Sequence, residues 1–148
     1  PGGPPIIAGV MGPKSIARAA HWADGVDGAW TMDGSLEHMQ RSFAHIRQAW
    51  ISAGRAEPPQ LSSSIWYALG PGAEERLRAY AYDYLKVFGE AVGTGSARVV
   101  NCFTAAALRR AVVNAREAGA DEFFLVPTTP DPDELGRTID ALGDELGV

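Results

Sequence analysis

The stretch Gly9-Val10-Met11-Gly12-Pro13-Lys14-Ser15 places a lysine directly behind a glycine turn. Proline suits the first position of a helix, where its missing N–H would have no partner anyway. A lysine in the same first turn runs against the helix's own polarity, at a cost of a few tenths to ~1 kcal/mol. No acid precedes Asp24 to offset it. Backbone N–H groups at such a turn bind phosphates, and a lysine adds a point charge to the same anion. A plain helix start with a solvated lysine is the commoner reading of such residues. Lysine is scarce, however: it stands only at 14 and 86, against eleven arginines.

Other residues with chemical potential are few. His38 and His45 share a helix face, but two turns set them about 10 Å apart, too far for one metal. With His21 they read as surface or boundary residues. Cys102 has no spaced partner and reads as a small buried side chain. Trp30-Thr31-Met32-Asp33, Trp66-Tyr67 and Pro127-Thr128-Thr129 lie in or at the ends of apparent strands, where they could line a flat cofactor or simply pack. There is no nucleophile–base pair, metal-ligand spacing or Walker motif.

The elements that must position these residues alternate regularly. Pro5–Val10 reads as a strand, followed by a helix from Pro13 to about Ala23. Asp24-Gly25 marks a turn and Val26–Met32 a second strand. A helix from about Ser35 to Ala53 carries Leu36, Met39, Phe43, Ile46 and Trp50 at helical spacing. Leu61–Leu69 is a third strand, closed by Gly70-Pro71-Gly72. A helix over Ala73 to about Val92 shows Leu77, Tyr80, Tyr84, Leu85 and Phe88 on one face, and Gly93-Thr94-Gly95-Ser96 reads as a flexible break. Thr104 caps a helix that runs to Ala118, with Leu108, Ala111, Val112 and Ala115 inward. Glu122–Pro127 is the fourth strand, and Asp131, Asp133 and Glu134 surround the start of the last helix, where acids belong.

Four strand–helix units imply parallel pairing through right-handed crossovers, and the apolar strands imply burial on both faces. A small doubly wound sheet and half of a (β/α)8 barrel both fit; a full barrel needs about 250 residues. The 148 residues support one compact unit. With 46% hydrophobic and 21% charged residues the chain reads as globular. A net charge of -5 and no basic cluster argue against nucleic acid. No apolar run reaches the ~20 residues of a membrane span. One cysteine suits a reducing cytoplasm, and Pro1 suggests a piece of a longer chain.

"PPIIAGVMGPKSIARAAHWADGV" resembles the Pro-Pro…Gly…Gly-Pro-Lys…Ala-Asp-Gly signature of the luciferase-like monooxygenases, and "EAGADEFFLVPTT" is similar to the last barrel strand of that family. The resemblance covers essentially the whole chain. It implies an α/β fold, the C-terminal half of a TIM (β/α)8 barrel with four parallel strand–helix units. It implies a flavin- or deazaflavin-dependent oxidoreductase using FMN or coenzyme F-420 on a small-molecule substrate, with a catalytically silent binding or scaffold domain as the rival. By the same resemblance the cofactor phosphate falls to Gly9, Val10, Met11, Gly12, Pro13, Lys14 and Ser15 and to Asp24, Gly25 and Val26. Pro13 can only shape the turn, and Asp24 is expected to brace it or to be a simple turn residue. The family's other half, which in relatives contributes much of the ring pocket and usually the acid–base groups, is expected elsewhere, so pairing as a homodimer or with a complementary half-barrel is expected.

Overall fold

The computed structural model describes residues 3–146. In chain order the elements are β1 (Ile7–Gly9), α1 (Pro13–Ala19), β2 (Gly25–Asp27), α2 (Leu36–Ser52), β3 (Gln60–Tyr67), α3 (Ala73–Leu85), a 3-10 turn (Lys86–Phe88), α4 (Glu90–Val99), α5 (Ala105–Ala118), β4 (Glu122–Pro127) and α6 (Asp133–Leu146).

The strands form one sheet in the order β1-β2-β3-β4. β1 and β2 pair in parallel, Ala8 opposite Val26 and Gly9 opposite Asp27. β2 and β3 do the same, Val26 opposite Leu61 and Asp27 opposite Ser62. At the start of β3, the Leu61 N–H donates to Asp121 Oδ2 at 2.7 Å, and the Asp121 N–H donates back to the Leu61 carbonyl at 2.8 Å. At its end the Thr128 N–H donates to the Tyr67 carbonyl at 3.0 Å. Start meets start and end meets end, so β4 is parallel as well. A doubly wound sheet reverses its strand order at a switch point. Here every strand neighbours its predecessor, the order of successive barrel staves, and the half-barrel architecture is the one found.

Two compact units divide these elements. In the first (3–31, 36–64 and 115–124), Ala8, Val26 and Leu61 project from one sheet face onto Ile16 of α1, Ala115 and Ala118 of α5, and the stripe Met39, Phe43, Ile46 and Trp50 of α2. Met39, Phe43, Ile46 and Trp50 are essentially inaccessible, as the helical spacing requires, while Leu36 at the start of the expected stripe is only partly buried. Each such side chain contributes roughly 1.5–3 kcal/mol of transfer free energy. In the second unit (32–35, 65–114 and 125–146), Ile65, Leu77, Ala81, Leu108, Ala111 and Leu142 are buried.

Several expected boundaries are corrected. α1 stops at Ala19, not near Ala23; β2 ends at Asp27, not Met32; β3 ends at Tyr67, not Leu69. The helix expected through Val92 ends at Leu85. Gly89, at φ +120, turns the chain into α4, and Gly93-Thr94-Gly95-Ser96 lies inside that helix rather than breaking it. The reason is packing: a Cβ on Gly93 would stand 3.0 Å from the Tyr82 carbonyl and from Lys86 Cβ. Phe88 (72% exposed) and Tyr84 (57%) consequently face solvent instead of a core. β4 is not buried on both faces either, because it ends the sheet and leaves Glu122 and Phe124 open.

Candidate functional site

The β1–α1 turn emerges at the C-terminal end of β1, the end at which parallel α/β sheets hold ligands. Gly12 sits ahead of α1 in an extended conformation, no side chain caps the helix, and no acid occupies its first turn. Its carbonyl takes the Ile16 N–H at 2.9 Å and the Ser15 hydroxyl at 2.8 Å. Gly9, Met11, Gly12, Pro13 and Lys14 are exposed, Val10 and Ser15 half-buried. Lys14 forms no ion pair among the described residues. A Cβ on Gly9 would meet nothing within 4 Å, so open space lies over the turn. α1 has only seven residues, so its dipole is weak. The donors are the loop amides and the Lys14 ammonium, a set that fits a phosphate ester.

Gly28, the residue after β2, fixes the shape of this turn. A Cβ there would fall 2.4 Å from the Val10 carbonyl oxygen and 2.6 Å from Val26 Cγ1, so only glycine lets the two segments pass.

The other expected residues lie apart from the turn. Asp24 stands at the foot of β1: its Oδ2 accepts the Ile6 N–H at 2.8 Å, and its own N–H donates to the Ile6 carbonyl at 2.8 Å. Arg55 lies 4.0 Å from its other oxygen while donating to the Ala20 and Ala23 carbonyls. Gly25 is opposite Ile7, and a Cβ there would be 2.3 Å from the Gln60 carbonyl. Val26 is fully buried in the core. The register therefore gathers Gly9 to Ser15 at one end of β1 and places Asp24 and Gly25 at the other, with Asp27 the residue of this segment level with Gly9.

Asp27 was not singled out in the sequence, although a carboxylate within so apolar a strand was the available signal. Since Ala8, Val26 and Leu61 face the helices, Gly9, Asp27 and Ser62 form a row on the opposite face. The Ser62 hydroxyl, itself fully buried, donates to Glu122 Oε2 at 3.3 Å and extends that row to β4. Asp27 Oδ1 is buried without a hydrogen-bond partner, and this desolvation raises the carboxyl above the ordinary carboxylate range.

The strand-end residues are largely engaged. Thr31 is 3% exposed, and Trp30 and Met32 are half-buried. Asp33 Oδ1 accepts the Ser35 N–H ahead of α2 at 3.0 Å. Trp66 meets the rings of Tyr80 and Tyr84 edge-on at 5.1 and 5.0 Å. Tyr67 shares a 2.7 Å hydrogen bond with Thr138, and the Thr128 hydroxyl donates to the Tyr67 carbonyl at 3.1 Å. Behind them Glu134, 2% exposed, accepts the Leu69 N–H and binds Arg137. Burial pushes the Cys102 thiol up to about 12. His21, His38 and His45 are exposed, as expected.

No known family model matches the chain, and no curated protein matches it. Solved structures do. An F420-dependent secondary alcohol dehydrogenase in complex with an F420-acetone adduct superposes with a TM-score of 0.66 at 21% identity, over 93% of this chain and 48% of the other. The coenzyme F420-dependent tetrahydromethanopterin reductase from Methanopyrus kandleri gives 0.58 at 13% identity, over 95% and 49%. The EDTA monooxygenase from Chelativorans sp. BNC1 gives 0.61 at 14% identity, over 98% and 47%. The chain thus shares the fold of these proteins and spans about half the length of each. Among the described residues no helix is long and apolar enough to cross a membrane.

Proposed function

We propose that the chain is the cofactor-phosphate half of a flavin- or deazaflavin-dependent oxidoreductase, acting on a small-molecule substrate with FMN or coenzyme F-420. The observation that carries this reading is an uncapped, exposed Gly12–Lys14 turn at the C-terminal end of a strand, in a fold whose solved examples include an F420-dependent alcohol dehydrogenase, an F420-dependent reductase and a monooxygenase.

In this reading Gly9, Val10, Met11, Gly12, Lys14 and Ser15 surround the phosphate, with the Lys14 and Ser15 amides and the Lys14 ammonium as donors. Pro13 sets the turn and donates nothing. Asp24, Gly25 and Val26 act from below: Asp24 ties β2 to the foot of β1, Gly25 permits the close pairing with β3, and Val26 anchors the strand in the core. When bound, the cofactor ring supplies the hydride chemistry, while the protein orients it and keeps water away. Asp27 presents a proton-holding group on the face opposite the helices. Completion of the barrel by a second copy or by a complementary half supplies the rest of the ring pocket, in a cytoplasmic protein.

Reversing the charge at the turn tests the reading. Lys14→Glu is expected to weaken cofactor binding tenfold or more, measured by flavin fluorescence or deazaflavin absorbance in the intact enzyme. Unchanged affinity removes Lys14 from the site.

A further inference from the structure

α2 carries a second stripe beside its buried one. His38, Arg41, Ser42 and His45 recur at three- and four-residue steps, so they share one face of the helix. They line a cleft of about 250 Å³ whose opposite wall includes Met11 of the β1–α1 turn and Gly28. Every polar side chain of this wall can donate a hydrogen bond, and none of the residues lining the cleft is acidic. An imidazole donates through a ring N–H even when neutral. Two of the chain's three histidines line this one cleft beside an arginine, in a chain of net charge -5.

We propose that this cleft is a second anion site, taking a ligand with two acidic groups, phosphate or carboxylate. The two-turn separation of His38 and His45, about 10 Å along the axis, exceeds what one tetrahedral anion spans, and Arg41 and Ser42 fill the interval. Arg41 is held by Glu37 at 2.7 Å, but both side chains are largely exposed (67% and 77%). Such a pair is worth little, so the guanidinium is free to exchange Glu37 for a ligand. The site adjoins the phosphate turn through Met11 yet uses different donors, and it stands whether or not that turn holds a cofactor.

Titration with pyrophosphate and with citrate at constant ionic strength, followed through the histidine ring signals by NMR, tests the proposal. His38 and His45 are expected to shift together and saturably. His21, which lines the neighbouring groove with His45, shifts less. Arg41→Gln is expected to weaken binding about fivefold or more, and Glu37→Gln to tighten it about twofold, as loss of a charged partner and loss of a competitor require. Tighter binding of pyrophosphate identifies a phosphate ligand, tighter binding of citrate a carboxylate. Linear shifts without saturation, or equal shifts at all three histidines, overturn the site. Loss of the response in Lys14→Gln would assign the anion to the turn instead and overturn it too. A retained response there, alongside weakened cofactor binding, shows two separate sites.

Discussion

The Glu134 carboxylate accepts the Leu69 backbone N–H at 2.6 Å, joining the first turn of α6 to the segment just past β3. Its second oxygen lies 2.9 Å from Arg137, which also reaches Asp131 at 2.5 Å. The side chain is 2% exposed, and both of its oxygens are used. Glu134→Ala leaves the buried Leu69 N–H unpaired and removes one of the two carboxylates held by Arg137, at a cost of about 2–3 kcal/mol. A thermal melt should fall by roughly 5–10 °C. Glu134→Gln, which keeps an acceptor for Leu69, should fall by less.

Asp27 gives a stability prediction with a sign. Burial raises its carboxyl in the folded chain, so folding favours the protonated form. Stability from this group is complete below the ordinary value of 3.8 and is lost as pH rises through the raised one. Asp27→Asn should therefore stabilise the protein at neutral pH, and the gain should vanish in acid. Melts of both proteins across that range decide it; a gain independent of pH removes the carboxyl's charge from the explanation.

Gly28→Ala forces a methyl group against the Val10 carbonyl, where the available distance is 2.4 Å. The expected cost is about 1–3 kcal/mol, read as a lower melting temperature, with weaker cofactor binding because the turn must move. Gly9→Ala is the control. Its Cβ meets nothing within 4 Å, so stability should hold while the space above the turn is partly filled.

The sheet ends on β1 and β4, with Ile6 (55%) and Phe124 (49%) exposed beside or on them. End strands offer backbone groups for further pairing. Sedimentation at high micromolar concentration should show self-association, and a clean monomer would contradict it.

Much of this was legible because it rests on local rules. The α2 stripe is a matter of spacing alone, and Met39, Phe43, Ile46 and Trp50 are all buried where it put them. Thr104 caps α5 as its type demands, its hydroxyl accepting the Ala107 N–H at 3.1 Å. Glu122–Pro127 is a strand to the residue. Failures came where a distant partner overrides local preference. Gly93 and Gly95 look like breakers, but both lie inside α4, and Gly93 packs closely on the preceding helix and turn. Glu134 and Asp133 are neighbouring acids in one helical first turn, and nothing local says that only Glu134 is buried against Leu69. The strand row containing Asp27 needed the register, which sequence spacing does not supply.

Strands that pair strictly in chain order carry one last implication. Each pairing joins strands consecutive in the chain, across α1, across α2 and, between β3 and β4, across α3, α4 and α5, so no contact between non-consecutive strands has to form first. Modules joined in this way can be appended on either flank without disturbing those already zipped together. Length is thus a variable that evolution can adjust by whole repeats while the ligand-holding rim of each existing repeat stays intact.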